Sequence, residues 1–357
     1  MIGICKASFF GVADLAGWNA ANRDLLAGSV AVLAYHGVIS DCHAEHPLRS
    51  LNMLTASEFR RHLTEIVRLF NPIAMDDFRA WFRGGRQLPR KALLITFDDG
   101  YANNLVHAAP LLKEMGVPAA FFIPTGYIGG DRLLWPTEVF CRSYYWSGKR
   151  MPMPRGGEAA VPQTRSARIE FAADVEETCK ELPTAASMNY LARLRAECKL
   201  VLDETAEELF GFLDWDGVRE LRKSGFEIGS HTVEHVIVSR VDRPQLAHEL
   251  RASKSTIERE ISSECFCFAY PNGKAVDITT AAMQAAADAG YDFAFSVMDG
   301  FCHRTANPML LDRIWIPGGR SLREFRTRVS GTHGQLKRLL GRGAASYSNL
   351  PCHELAR

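Results

Sequence analysis

A chain of 357 residues with 47% apolar and 23% charged residues has the composition of an ordinary globular protein and excludes a disordered or fibrous one. Its formal net charge of +1 gives no global pull toward nucleic acid, so no nucleic-acid partner is expected and any partner must be recognised locally. The nine cysteines are odd in number, scattered and free of CxxC spacing, which argues against a disulfide framework or a zinc ribbon and for a reducing, cytoplasmic setting.

The opening "MIGICKASFFGVADLAGWNAANRD" interrupts its apolar residues with Asp14, Asn19, Asn22 and Arg23. It reads as an amphipathic helix within residues 1–29 and not as an export signal. From Val30 onward short β-rich runs alternate with helix-period segments, the pattern of parallel strands joined by helical crossovers. The candidate strands are "SVAVLAYH", "KALLITF", "PAAFFIPT", "FEIGSH", "CFCFAY", "FAFSV" and "LLDRIWI". Seven such strands favour a (β/α) barrel, although spacing alone leaves an open doubly wound sheet possible. A Pro-, Gly-, Arg- and Ser-rich stretch from Ser147 to Thr164 leads into a helical insertion, about residues 147–215, placed to form a lid or side wall. Val241 to Ile261 predicts a helix, with Asp242 as cap, Pro244 in the first turn and Leu246, Leu250, Ile257 and Ile261 on one stripe. The unit closes near residue 330, and residues 331–357 read as a basic tail. Between Arg320 and Arg342 seven Arg or Lys stand against one acid, Glu324; a solvated helix face explains that, as does peripheral contact with an anionic membrane.

Chemistry enters at "TFDDGY". In a regular strand Asp98 and Asp99 would point to opposite faces, but Gly100 permits a turn directly after them, at a strand end where barrel enzymes keep their sites. Two carboxylates so close need a cation to relieve their repulsion, unless they form only a polar Asp-Gly turn. "SHTVEH" follows another strand with His231 and His235 four residues apart, near enough to share one cation with an aspartate and leave an open coordination position. The same letters spell H-x-x-E-H, with Glu234 where an inverted zinc protease has its general base; the β-branched "VIV" that follows argues against the long helix such a site needs. In "FAYPNG", Pro271, Asn272 and Gly273 make a turn able to aim a backbone N–H at a developing oxyanion.

Taken in this order, "TFDDGY", "SHTVEH" and "FAYPNG" resemble the polysaccharide deacetylases of the fourth carbohydrate esterase family, relatives of the nodulation chitooligosaccharide deacetylases. The likeness runs from "VLAYHGV" through "GYDFAFSV" to "DRIWIPG", with the insertion and termini less well matched. It implies a distorted (β/α) barrel over residues 30–330, a divalent metal, zinc first, held by Asp99, His231 and His235, and Asp98 as general base. It implies also that the Asn272 backbone N–H shares the oxyanion, and that the reaction is hydrolysis of the acetamide of an N-acetylated amino sugar in a glycan or a lipid-linked glycan precursor. Two departures stand out. The arginine that many members place after the Phe of the third motif is Ala269 here, and no late Leu-x-His supplies a general acid. A non-catalytic glycan-binding barrel is therefore the alternative from another class. His36, at the end of "VLAYH", Trp135, Pro271 and Arg313 are candidate substrate contacts, with a structural histidine, a core aromatic and a strand-end salt bridge as the plainer accounts of His36, Trp135 and Arg313.

Overall fold

In the computed structural model, which describes residue 19, residues 28–201 and residues 204–334, all seven candidate strands are present in one curled, mostly parallel sheet. Apart from Asn19, the N-terminal helix expected within residues 1–29 lies outside the described residues, as does the tail from residue 335. In chain order the strands are β1 (Ser29–Tyr35), β2 (Gly37–Ile39), β3 (Met53–Thr55), β4 (Asn71–Pro72), β5 (Ala92–Phe97), β6 (Ala119–Ile123) and β7 (Arg150–Pro152). They continue with β8 (Glu158–Ala160), β9 (Glu227–Ser230), β10 (Cys267–Ala269), β11 (Phe293–Phe295), β12 (Cys302–His303) and β13 (Ile314–Trp315).

Parallel neighbours run β11-β10-β9-β6-β5-β1. The ring is closed by a short seam. β13 pairs with β1 through Leu33 opposite Ile314, and just upstream Leu311 bridges Phe295 of β11, its N–H donating to the Ala294 carbonyl and its carbonyl accepting from the Ser296 N–H. One segment of a few residues therefore does the work of a full ladder, which is why the barrel is distorted.

Strands covered on both faces read as unbroken apolar runs, yet the period of two survives in which face each residue takes. Leu93, Ile95 and Phe97 of β5 pack outward with the helices, whereas Ala92 and Leu94 pack inward with Val30, Val32, Phe122 and Phe295. Helix α1 (Ala56–Leu69) starts on a capping box of Thr55 and Glu58. Helix α2 (Met75–Phe82) sends Met75, Phe78 and Trp81 into the inward cluster at the end where the strands begin. Helix α3 (Ala109–Glu114) then leads to β6.

Helix α4 (Trp135–Tyr144) precedes the insertion, which brings α5 (Arg165–Glu181), α6 (Thr184–Glu197) and α7 (Glu204–Phe210). The insertion's Pro- and Gly-rich start holds a β7–β8 hairpin, turned through Gly156 and Gly157 at φ 95° and 74°, values open to glycine without strain. Trp135, Trp146, Met151, Val175, Cys179, Tyr190 and Leu194 give this part a core of its own. Helices α8 (Trp215–Lys223), α9 (Arg243–Ile261), α10 (Thr280–Asp288) and α11 (Leu322–Val329) complete the shell. As expected, Asp242 caps α9 by accepting from the Gln245 N–H, with Leu246, Leu250 and Ile257 buried.

Part of the basic C-terminal excess is internal. Arg326 pairs with Glu65 at 2.9 Å and Arg328 with Glu324 at 2.8 Å, and His62 of α1 stacks on Phe325 of α11 with ring centroids 4.0 Å apart. Among the described residues no helix is long and apolar enough to cross a membrane.

Candidate active site

The inward parity of Ala92 and Leu94 continues through Thr96 to Asp98, so the first aspartate enters the barrel interior at the strand end. Asp99 then takes φ 74° and Gly100 φ 69°, and this left-handed pair turns the second carboxylate to the same mouth. Thr232, His235 and Asn272 are likewise non-glycine residues with φ of 68°, 52° and 61°. Such strain gathers where the surroundings fix a functional geometry.

Asp98 is gripped by Arg313. Two parallel hydrogen bonds of 2.7 Å join guanidinium and carboxylate, while Arg313 Nε donates to the Ser296 carbonyl at 2.8 Å and Nη1 to Thr96 Oγ1 at 3.0 Å. Arg313 is 0% exposed. The expectation that it faces substrate is therefore corrected: it sits on the closing segment, behind Asp98. It also answers the departure at Ala269, because the guanidinium missing from that strand arrives from another. Burial pushes the Asp98 carboxyl up, but Arg313 and then His231 outweigh it and hold the group below the usual carboxylate range.

Asp99 Oδ1 lies 3.6 Å from His231 Nε2 and 3.3 Å from His235 Nε2, and one donor atom from each residue falls within 4.8 Å of the others. Bonds of about 2.1 Å in a tetrahedron separate ligand atoms by about 3.4 Å, so the two Asp99–histidine separations already match the spacing a small cation sets. The His231 tautomer supports this. Its Nδ1 lies 2.7 Å from the Ala269 carbonyl, which can only accept, so Nδ1 carries a proton and Nε2, the atom that faces Asp99, is the one left to bind a metal. Burial works against charge on Asp99, yet the hydrogen bonds from His231 and His235 hold its carboxyl well below the usual range. Burial likewise pushes His235 down, more strongly than Asp99 pulls it up, favouring the neutral imidazole that a metal requires.

These groups open into a cavity of about 990 Å³. His36, just past β1, lines it, and its buried Nδ1 has no hydrogen-bond partner among the described residues. Asn272 lines it too, and its side-chain Nδ2 donates to Asp277 at 2.6 Å, which fixes the turn that carries its backbone N–H. Pro271 is buried in the same turn but is not among the lining residues. Trp135 borders the cavity, yet it is buried and its indole donates to the His235 carbonyl at 3.0 Å, so it braces a ligand-bearing loop more than it offers an open stacking face. Glu234 is carried outward to an ion pair with Arg132, and residues 231–237 form no helix. The protease reading loses both its base and its scaffold.

Among solved structures, the Streptococcus pyogenes deacetylase PplD, in complex with acetate, aligns with a TM-score of 0.55 at 15% identity, covering 85% of this chain and 99% of that one. IcaB from Ammonifex degensii aligns at 0.54 and 16% identity over 86% and 97%. The likeness at this identity is one of fold. The poly-beta-1,6-N-acetyl-D-glucosamine N-deacetylase of Escherichia coli (strain K12) is 36% identical over 52 residues, 15% of this chain and 8% of that protein's length. A model of the family described as polysaccharide deacetylase matches residues 85–294, more than half of the chain and the span that holds Asp98, Asp99, His231, His235 and Asn272, with His36 and Arg313 outside it. The chain belongs to the polysaccharide deacetylase family.

Proposed function

We propose that the protein is a metal-dependent N-deacetylase that hydrolyses the acetamide of an N-acetylated amino sugar in a glycan. The observation that carries this is the pairing of a one-aspartate, two-histidine cluster with a second aspartate held by a buried guanidinium at the same mouth. Asp99, His231 and His235 would hold a divalent ion, zinc by the nature of the donor set, and that ion would polarise the acetamide carbonyl and the attacking water. Asp98, kept ionised and oriented by Arg313, takes a proton from that water. The Asn272 backbone N–H faces the carbonyl oxygen as charge builds on it. His36 gives a proton to the departing amine. Of the other histidines lining the cavity, two are the metal ligands, and His46 Nδ1 accepts from the Leu48 N–H.

The substrate class is a neutral polymer or oligomer of N-acetylglucosamine, a reading supported by the name of the curated relative and by a cavity at the upper end of the usual size for small-ligand sites. The test is to incubate metal-replete protein with N-acetylglucosamine oligomers and quantify acetate and free amine, then strip the metal with a chelator and restore it with zinc. Asp98→Asn should retain metal and lose turnover. No acetate from any oligomer in a broad panel, with metal bound, would refute the assignment.

A further inference from the structure

One face of α5 belongs to the cavity. Arg165, Ile169, Ala173, Glu176, Glu177 and Lys180 recur at helical spacing along its wall, spanning roughly 22 Å of helix, while Val175 and Cys179 on the other face are buried in the insertion's own core. The helix is tied at both ends. Arg165 donates to the Glu45 carbonyl at 2.8 Å on one rim, and Glu177 pairs with Lys274, two residues beyond Asn272, on the other. Three residues beyond Glu177, Lys180 Nζ lies 2.6 Å from Glu176 and 3.8 Å from Glu177.

The charges on this wall balance: Arg165, Lys180 and Lys274 stand against Glu45, Glu176 and Glu177. Such a surface has no net field to draw a polyanion, but its fixed carboxylates and ammonium offer charge-assisted hydrogen bonds to hydroxyls. Ile169 and Ala173, with Leu134 and Phe140 also lining the space, supply apolar patches for the C–H faces of sugar rings. A single sugar over the metal ligands would leave much of this length empty.

Resting on the deacetylase reading, we propose that the inward face of α5 is a subsite wall binding an uncharged oligosaccharide, so that chain length and not charge sets which glycan is processed. The experiment compares kcat/KM on N-acetylglucosamine oligomers of one to about five units, and on uronate-containing analogues, for the wild type, Lys180→Met and Ala173→Phe. In parallel, calorimetry measures binding of the same oligomers to the chelator-treated full chain. In the wild type the longer neutral oligomers should exceed the monosaccharide by about tenfold or more, the yield of one or two hydrogen bonds to charged groups. Both variants should cut that ratio several-fold, chiefly through KM. Ala173→Phe leaves every ion pair intact, so it keeps the test open if Lys180→Met fails to fold. A ratio unchanged in a folded variant, a wild type indifferent to length, or a preference for the anionic analogues would overturn the proposal. Length-dependent binding lost in the variants, without acetate release, would sustain the wall and remove the deacetylase reading; acetate release without length dependence would do the reverse.

Discussion

Replacing Arg313 with Met keeps the apolar stem of the side chain and deletes the guanidinium. Asp98 then stays behind as a carboxylate 3% exposed with no facing cation, and Thr96 Oγ1 and the Ser296 carbonyl lose their donor. Removing one partner of a buried ion pair costs about 3–5 kcal/mol, and a stranded buried acceptor about 1–3 kcal/mol. Partial relaxation brings the expected total to about 4–6 kcal/mol, a large share of the roughly 5–15 kcal/mol that holds a typical fold together. Asp98→Asn should cost less, because the amide keeps the shape and one acceptor. The double variant Asp98→Asn/Arg313→Met should be less destabilised than the sum of the singles by about 2 kcal/mol, since the stranded charge is gone. Urea unfolding followed by tryptophan fluorescence reads these differences, and acetate release is measured on the folded fraction. Arg313→Met costing under about 1 kcal/mol, with strictly additive singles, would refute the view that this pair is a coupled, desolvated unit.

Chelation should lower the melting temperature and zinc should restore it, since an ion at a hundred times its Kd adds about 2.7 kcal/mol; a chain that takes up no zinc by elemental analysis would remove the metal from the scheme. Trp135→Phe deletes the indole N–H that holds the His235 carbonyl and should weaken zinc binding about tenfold or more, read by competition with a chromophoric chelator; unchanged affinity counts against the bracing role. Acid lability should begin at His62. Burial, helped by Arg61, pushes its imidazole down to about 3, whereas in the unfolded chain it titrates near ~6.5. The unfolded chain thus takes up a proton the fold refuses, and stability falls as pH drops from about 6.5 toward about 3. Glu65, held at about 2 by the Arg326 hydrogen bond against the opposing pull of burial, and by Arg68, adds a loss in the same direction from about 4.3 down, worth about 1–2 kcal/mol after solvent screening. His62→Leu should flatten the upper part of the slope in a pH series of melting curves; a slope identical to wild type would show that another group sets it.

The strands were legible because parallel strands covered on both sides must be apolar along their length, and "KALLITF" or "CFCFAY" have few other ways to be buried. Asp98, Asp99, His231 and His235 were legible because each follows directly on such a run, where the strand must end and its side chains reach the mouth. Arg313 was not. Its partner lies 215 positions away, and "LLDRIWI" reads equally well as a strand with a solvated cation. The usable signal was that a charge inside an otherwise apolar strand has to be paired if the strand is buried. Helix α5 escaped for the opposite reason: its inward face meets a cavity and not the core, so Arg165, Glu176, Glu177 and Lys180 stand where apolar periodicity would be sought. Trp135 has the composition of a sugar platform, and only the bond to the His235 carbonyl shows where the indole is engaged.

The seam across β11 and β1 couples assembly to competence. Without the stretch around Arg313 the carboxylate of Asp98 has no guanidinium facing it and the ring is not closed. On the proposed mechanism, a molecule frayed at this one segment would lose its base before it lost its metal ligands, so turnover would report that the final latch has shut.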